Sequence, residues 1–297
     1  MRVFITGGTG FIGRSIVREL SKKGCSVIVP TRQYMKPPDF LFPPDVNVEI
    51  IPFSTNLDDV IKKIKPDIVI NLLGILKENK KKGITFETVH VEYTQKLVEG
   101  SQNIGVKKFL QMSALGADEN SKSKYFQTKA KAEKIVSETG LDFAIFRPSI
   151  ILGKEQKLFN DLRYFSKFTP IILAPKGKVQ PVHVLDVRDS FIKILESDIK
   201  NEIFELCGNK IISYKELFEF ALRFIGKKRV VLELPRQFFK PLLPVFSLFP
   251  DPPMTKDQYY MLEKDNVCLG NYKGVKDILG NIRDPFKIQK EIQFKLK

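Results

Sequence analysis

Thr6-Gly7-Gly8-Thr9-Gly10-Phe11-Ile12-Gly13 is the stretch whose reading decides the fold. It follows a β-rich run over 3–6 and opens an amphipathic helical pattern over 11–22, with its glycines in the spacing GxxGxxG. In a strand–turn–helix setting each glycine has its own task. Gly7 can take tight-turn dihedrals, Gly10 lets main chain approach a pyrophosphate, and Gly13 lets the helix lie close on the sheet. The first helical turn adds N–H groups with no internal acceptor and a partial positive charge. Gly7, Thr9, Gly10, Phe11, Ile12 and Gly13 are therefore candidates to bind a dinucleotide through main-chain amides.

Outward from this turn, short β-rich runs alternate with helical patterns. Strands are expected over 26–30, 48–52, 68–73, 108–112 and 142–146, and helices over 57–64, 86–103 and 123–139. Strands separated by helices form parallel βαβ units with helices on both faces. The expected fold class is α/β, a Rossmann-type doubly wound parallel sheet with a smaller, partly discontinuous C-terminal lobe. Past Gly153, Phe and Pro become frequent and the alternation lapses, then returns over 179–207. The division that follows is a dinucleotide domain of 1–153 with 179–207, and a lobe of 154–178 and 208–297 for substrate or partner.

The chain has 297 residues, 43% of them apolar and 28% charged, which excludes a disordered polymer. Its longest apolar stretch, 68–76, is far short of the ~20 residues that span a bilayer. Met1-Arg2-Val3-Phe4-Ile5 runs straight into the glycine turn, so no signal or transit peptide is expected. Cys25, Cys207 and Cys268 are odd in number, far apart and without CxxC spacing. That pattern predicts a reducing compartment and neither a disulfide scaffold nor a zinc ribbon. The expected location is the cytoplasm, with a peripheral seat on the inner face of a membrane as the alternative. The formal charge is +15, but the lysines come in scattered groups such as Lys62-Lys63 and Lys80-Lys81-Lys82. Such groups read as solvated surface, and no nucleic acid is expected.

An acidic residue at the end of the second strand would select NAD(H) by binding the adenosine ribose. Here the sequence is Pro30-Thr31-Arg32-Gln33, and Arg32 suits a 2′-phosphate. NADP(H) is the favoured cofactor and NAD(H) the alternative. Tyr125 and Lys129 stand four apart in a helical pattern, hence on one face. An ammonium beside a phenol lowers its pKa, which would make Tyr125 a proton-exchanging group. Ser113, at the end of strand 108–112, would give a hydroxyl to a substrate carbonyl. His90 and His183 each sit between valines and read as hydrogen-bonded core residues; no metal is implied.

Together, TGGTGFIG, Asn71-Leu-Leu-Gly74, Tyr125xxxLys129 and Arg147-Pro-Ser-Ile-Ile-Leu-Gly153 resemble the extended short-chain dehydrogenase/reductase superfamily, epimerase/dehydratase-like. Phe86-Glu-Thr-Val-His-Val, Gln111-Met-Ser-Ala-Leu-Gly-Ala117 and Gln180-Pro-Val-His-Val-Leu-Asp-Val187 resemble its atypical group around the alpha-subcomplex-9 accessory subunit of respiratory complex I. The resemblance implies a nicotinamide cofactor across Gly7–Gly13, with contacts from Leu72, Leu73, Gly74, Pro148, Ser149 and Ile150. It also implies that Tyr125 and Lys129 occupy catalytic positions. The sequence Pro52-Phe-Ser-Thr-Asn56 lacks the aspartate that many relatives carry there, and the Tyr-Gly loop of sugar epimerases is missing.

Three functions fit these observations. The first is an NADP(H)-binding reductase-like protein with a tightly held dinucleotide, acting on a hydrophobic carbonyl substrate or supporting a membrane-associated respiratory assembly. The apolar, basic stretch 238–249 would line a greasy cleft or touch a membrane. The second is a nucleotide-sugar epimerase or dehydratase. The third is a non-catalytic module that senses NADPH.

Overall fold

A computed structural model describes residues 1–35, 41–249 and 251–287. Its main sheet has eight parallel strands: β1 (Arg2–Thr6), β2 (Ser26–Thr31), β3 (Val48–Pro52), β4 (Ile68–Asn71), β5 (Lys108–Met112), β6 (Phe143–Pro148), β7 (Glu202–Leu206) and β8 (Lys273–Gly274). Their spatial order is β3-β2-β1-β4-β5-β6-β7-β8. The order reverses between β1 and β4, so chains leaving the carboxyl ends of this pair diverge and leave a crevice between them. The doubly wound parallel sheet expected from the sequence is what the chain forms.

The β1 residues show how the two faces are filled. Val3 and Ile5 point to one side, where they pack with Ile16 and Leu20 of α1 (Phe11–Lys22). Phe4 points to the other, against Leu57 and Ile61 of α2 (Leu57–Ile64) and Leu97 of α3 (Tyr93–Ile104). All these side chains are fully buried, each contributing about 1.5–3 kcal/mol of hydrophobic stabilisation. The second face also takes Val136 from α4 (Lys124–Ser137). The lobe has its own core, in which Phe159 and Leu162 of α5 (Lys157–Phe165) meet Leu217, Phe220 and Ala221 of α7 (Tyr214–Phe224). Between them in sequence, α6 (Val184–Leu195) returns to the sheet and stacks Phe191 on Phe146.

Three findings differ from the sequence reading, and a fourth bears on the stretch 238–249. The helix expected over 86–103 begins as a π-helical turn, Glu87–Glu92, before α3. Residues 273–279, read as part of the lobe, instead supply β8 and a short helix, Val275–Leu279, whose Val275 and Ile278 join the sheet core. Cys207 and Cys268 form a disulfide with Cα atoms 6.1 Å apart, against the expectation of unpaired thiols. Sequence spacing hid this: Cys207 leaves the end of β7, and the chain passes through the lobe before Cys268 returns to the same sheet edge. The stretch 238–249 buries Phe239 and exposes Phe238, Val245, Leu248 and Phe249. Among the described residues no helix is long and apolar enough to cross a membrane.

Close packing at Gly100 sets two effects against each other. A Cβ there would lie 2.9 Å from the Asp58 main chain of α2, where no flexible atom can yield. Alanine is the better helix former by about 1 kcal/mol, whereas overpacking costs about 1–3 kcal/mol. Gly100→Ala is expected to lower the urea unfolding free energy, by up to about 2 kcal/mol. A stabilised variant would mean that α2 and α3 are not in this contact.

Candidate functional site

Because the strands are parallel, every segment leaving a carboxyl end lies along one edge of the sheet. Gly7 follows β1, Arg32 follows β2, Leu72 follows β4, Ser113 follows β5, and Ser149 follows β6. The candidate residues are therefore brought to a single rim. At its centre is Asn71, fully buried at the end of β4. Its Oδ1 accepts from Thr6 Oγ1 at 2.7 Å and from the Leu73 N–H at 3.2 Å. Its Nδ2 donates to Thr94 Oγ1 and to Gln111 Oε1, each at 3.0 Å. This network ends the strand and turns the chain into Leu72–Gly74.

The glycine turn meets the Asn71 turn directly. Gly7 has φ +71°, and a Cβ there would lie 3.0 Å from the Leu72 carbonyl oxygen. A Cβ on Gly13 would lie 2.3 Å from the Gly7 oxygen, so only glycine lets α1 start this close to β1. Around Gly10 a Cβ would meet only the Gly7 oxygen, at 3.1 Å, with open space otherwise. Gly10 is the N-cap of α1 and supplies no side-chain cap, which leaves first-turn amides to an outside acceptor. An uncapped, open helix start beside a crevice fits a dinucleotide pyrophosphate. Arg32 is exposed in the turn after β2.

On the far side of the crevice α4 carries Tyr125 and Lys129, both buried. The Lys129 ammonium donates to the carbonyls of Leu73 at 3.2 Å and Met112 at 3.1 Å. Gly74 makes room for it, since a Cβ there would stand 3.3 Å from Nζ. Burial pulls the Lys129 pKa down to about 8, opposed by the charge of Glu133. Tyr125 behaves contrary to expectation. Burial first, and the charge of Asp257 second, push its hydroxyl above the usual phenol range. The ammonium is committed to two carbonyls, and the ring is enclosed by apolar neighbours, so Tyr125 is held in its neutral form. Those neighbours are Phe86, Ala114, Ile75, Phe126 and Met261.

Ser113 is 3% exposed, and among the described residues its hydroxyl has no hydrogen-bond partner. A buried hydroxyl without a partner costs about 1–3 kcal/mol, which a bound oxygen would recover. Pro148, Ser149 and Ile150 continue β6. Ser149 Oγ donates to Asn266 Oδ1 at 2.6 Å, so it meets the lobe rather than standing free. A cavity of about 150 Å³ adjoins this region, with Leu115, Phe126, Met261 and Asn266 in its wall.

Several residues of the site were not identified from the sequence. Asp257, on the short helix Lys256–Met261, accepts from Ser123 Oγ at 2.9 Å and the Lys124 N–H at 2.6 Å. It thereby caps α4 from the lobe, 133 residues away in sequence, and no local pattern announces it. His90 is the buried, hydrogen-bonded residue expected, but its partners give it a place in the site. Its Nε2 accepts the Ile75 N–H at 3.1 Å, which leaves Nδ1–H to donate to Thr128 Oγ1 at 2.9 Å. Burial, then the Lys129 charge, lowers its pKa to about 2, so the ring is neutral. The π-helical turn carries it into this position, a common placement of such turns at sites. His183 is buried too, and its Nδ1 accepts the Leu185 N–H at the start of α6.

Comparison with known proteins agrees with this geometry. The profile described as "NAD dependent epimerase/dehydratase family" matches residues 3–207. The mitochondrial NADH-ubiquinone oxidoreductase 40 kDa subunit of Neurospora crassa is 31% identical over 250 residues, 82% of this chain and 65% of that one. The mitochondrial NADH dehydrogenase [ubiquinone] 1 alpha subcomplex subunit 9 of Arabidopsis thaliana is 31% identical over 241 residues, 78% and 60% of the two chains. The chain thus spans less than two thirds of the length of either relative. Among solved structures, UDP-glucose 4-epimerase of Thermotoga maritima with UDP-glucose superposes with a TM-score of 0.71 at 20% identity, covering 100% of both chains. That likeness concerns the fold. Profile, crevice and glycine turn agree: the chain belongs to the NAD-dependent epimerase/dehydratase family of extended short-chain dehydrogenases/reductases.

Proposed function

We propose that this protein holds an NADP(H) dinucleotide in the β1/β4 crevice and reduces a carbonyl group on an apolar substrate. The observation that carries this reading is the Ser113 hydroxyl, buried and without a partner beside the apolar enclosure of Tyr125. Amides of Thr9–Gly13 would hold the pyrophosphate, Arg32 the 2′-phosphate, and Leu72–Gly74 with Pro148–Ile150 would flank the nicotinamide half. A reduced dinucleotide supplies a hydride when bound. Ser113 Oγ donates a hydrogen bond to the substrate oxygen, and Tyr125 Oη gives its proton to that oxygen as negative charge develops there. A raised tyrosine pKa supports the donor role over the base role. The Lys129 ammonium orients the ribose side of the crevice from its two carbonyl anchors. The surrounding Phe86 and Met261 exclude water and favour an apolar substrate.

A second reading, support of a respiratory assembly by the same dinucleotide-loaded fold, is favoured by the names of the relatives from Neurospora crassa and Arabidopsis thaliana. Migration of the native protein with a large respiratory complex, and absence of turnover on any carbonyl compound, would favour it. Turnover of UDP-glucose would replace both readings with that of a sugar epimerase.

Mass spectrometry of the protein as purified should detect a retained dinucleotide carrying a 2′-phosphate. Arg32→Ala should weaken NADPH binding by about tenfold or more, the worth of a charge-assisted hydrogen bond, and leave NADH affinity unchanged. Equal losses for both cofactors would remove the Arg32 role.

Lys129 makes a pH prediction for the dinucleotide-free protein. Its folded pKa of about 8 lies below its ordinary 10.5, so the unfolded chain binds more protons between those values. Stability therefore rises with pH through that window and is lowest below it. Relative to Lys129→Met, the native protein should gain up to about 3 kcal/mol between pH 7 and 10.5. A pH-independent difference in unfolding free energy would place the ammonium in water instead.

A further inference from the structure

The lobe carries a second surface of consistent chemistry, away from the crevice. Strands Ile171–Pro175 and Val230–Leu234 pair in parallel, with Ile171 opposite Val230 and Leu173 opposite Leu232. Alternation gives this ribbon two faces. Ile172, Ala174 and Val231 are buried in the lobe core with Leu217 and Phe220 of α7. The other face presents Ile171, Val230 and Leu232 to solvent, with Val230 58% exposed. Because the pairing is parallel, both segments that lead into the ribbon lie at the same end. One brings Lys167 and Phe168, the latter 71% exposed, and the other brings Lys227 and Lys228. Arg229 fastens that end by donating from Nε and Nη2 to the Ser166 carbonyl at 2.9 and 2.6 Å.

Beside this end is a groove of about 750 Å³, with Lys215, Arg223, Lys227, Lys228 and Arg229 in its wall. Of the described residues, Glu219 is the one acidic side chain lining it, and it lies 4.0 Å from Arg223. Among the described residues Lys167, Lys215, Lys227 and Lys228 form no ion pair. Glu233 is exposed on the ribbon.

We propose that this ribbon face docks the protein on an anionic phospholipid surface, with lipid phosphates in the basic groove and Phe168, Ile171, Val230 and Leu232 entering the headgroup–acyl boundary. The pattern of apolar side chains bordered by cations is that of an interfacial anchor. Charge complementarity selects this occupant: a chain of formal charge +15 repels a second copy of itself, whereas an anionic leaflet attracts it. Each basic residue near such a surface is worth roughly fivefold in binding. This proposal does not depend on the reading of the crevice.

The test is co-sedimentation of the purified protein with vesicles of equimolar phosphatidylcholine and phosphatidylglycerol, against vesicles of phosphatidylcholine alone. Binding is expected to the anionic vesicles only, and to weaken with added salt. Lys227→Glu with Lys228→Glu should lower the bound fraction by about tenfold or more. Val230→Ser with Leu232→Ser should lower it as well, while both pairs keep the native circular dichroism spectrum and melting transition. Hydrogen exchange of the unaltered chain should show vesicle-induced protection over 168–171 and 227–234, which needs no variant to fold. No binding, binding indifferent to lipid charge, protection confined to other segments, or a dimer that Val230→Ser dissolves would each overturn the proposal.

Discussion

The Asn71 carboxamide, enclosed between β1, β5 and α3, is the interaction on which the crevice depends. Its four hydrogen bonds reach Thr6, Leu73, Thr94 and Gln111, so one side chain fixes where two adjacent strands stop and how the chain leaves the second. Each of these groups, left buried without a partner, would cost about 1–3 kcal/mol. The Leu72 carbonyl, placed by that turn, is in turn what the positive-φ Gly7 must clear. Glycine turn and asparagine turn thus shape each other, and the open, uncapped helix start follows from both.

The side of the crevice that carries Tyr125 and Lys129 is built by opposing forces. Burial disfavours the charged forms of Tyr125 and Lys129 alike. The two are not equal partners. Lys129 finds two carbonyls and a neutral imidazole close by, whereas Tyr125 has aromatic edges around it from Phe86, His90 and Phe126. The helix that carries both is capped by Asp257 of the lobe, so the lobe sets the position of the Tyr125–Lys129 face as well as walling it.

Much of the sheet was legible because buried parallel strands read as continuous apolar runs and glycine spacing marks a single sharp event. The bounds of β3, β5 and α2 coincide with the sequence reading. Legibility ended where contacts join residues distant along the chain. Asp257 is an ordinary surface aspartate to any local pattern, and the Cys207–Cys268 pairing depends on where the lobe returns. The tyrosine's environment was misjudged for a related reason. Helical spacing brings Tyr125 and Lys129 to one face, but the direction of a pKa shift depends on burial and on which carbonyls claim the ammonium. The π-helical turn at Glu87–Glu92 escaped detection because its composition is that of any helix.

The Cys207–Cys268 bond closes a loop of 61 residues that contains α7, the second ribbon strand and the Asp257 helix. In chain-entropy terms such a closure is worth about 4 kcal/mol against the unfolded ensemble. It also has a mechanical meaning. Tension applied between the two termini would pass from the end of β7 through two sulfur atoms into the Cys268 segment, bypassing everything between. The chain between the two cysteines would hang outside the line of force, and a protease cut within that closed loop would still leave one covalent molecule until a reductant arrives.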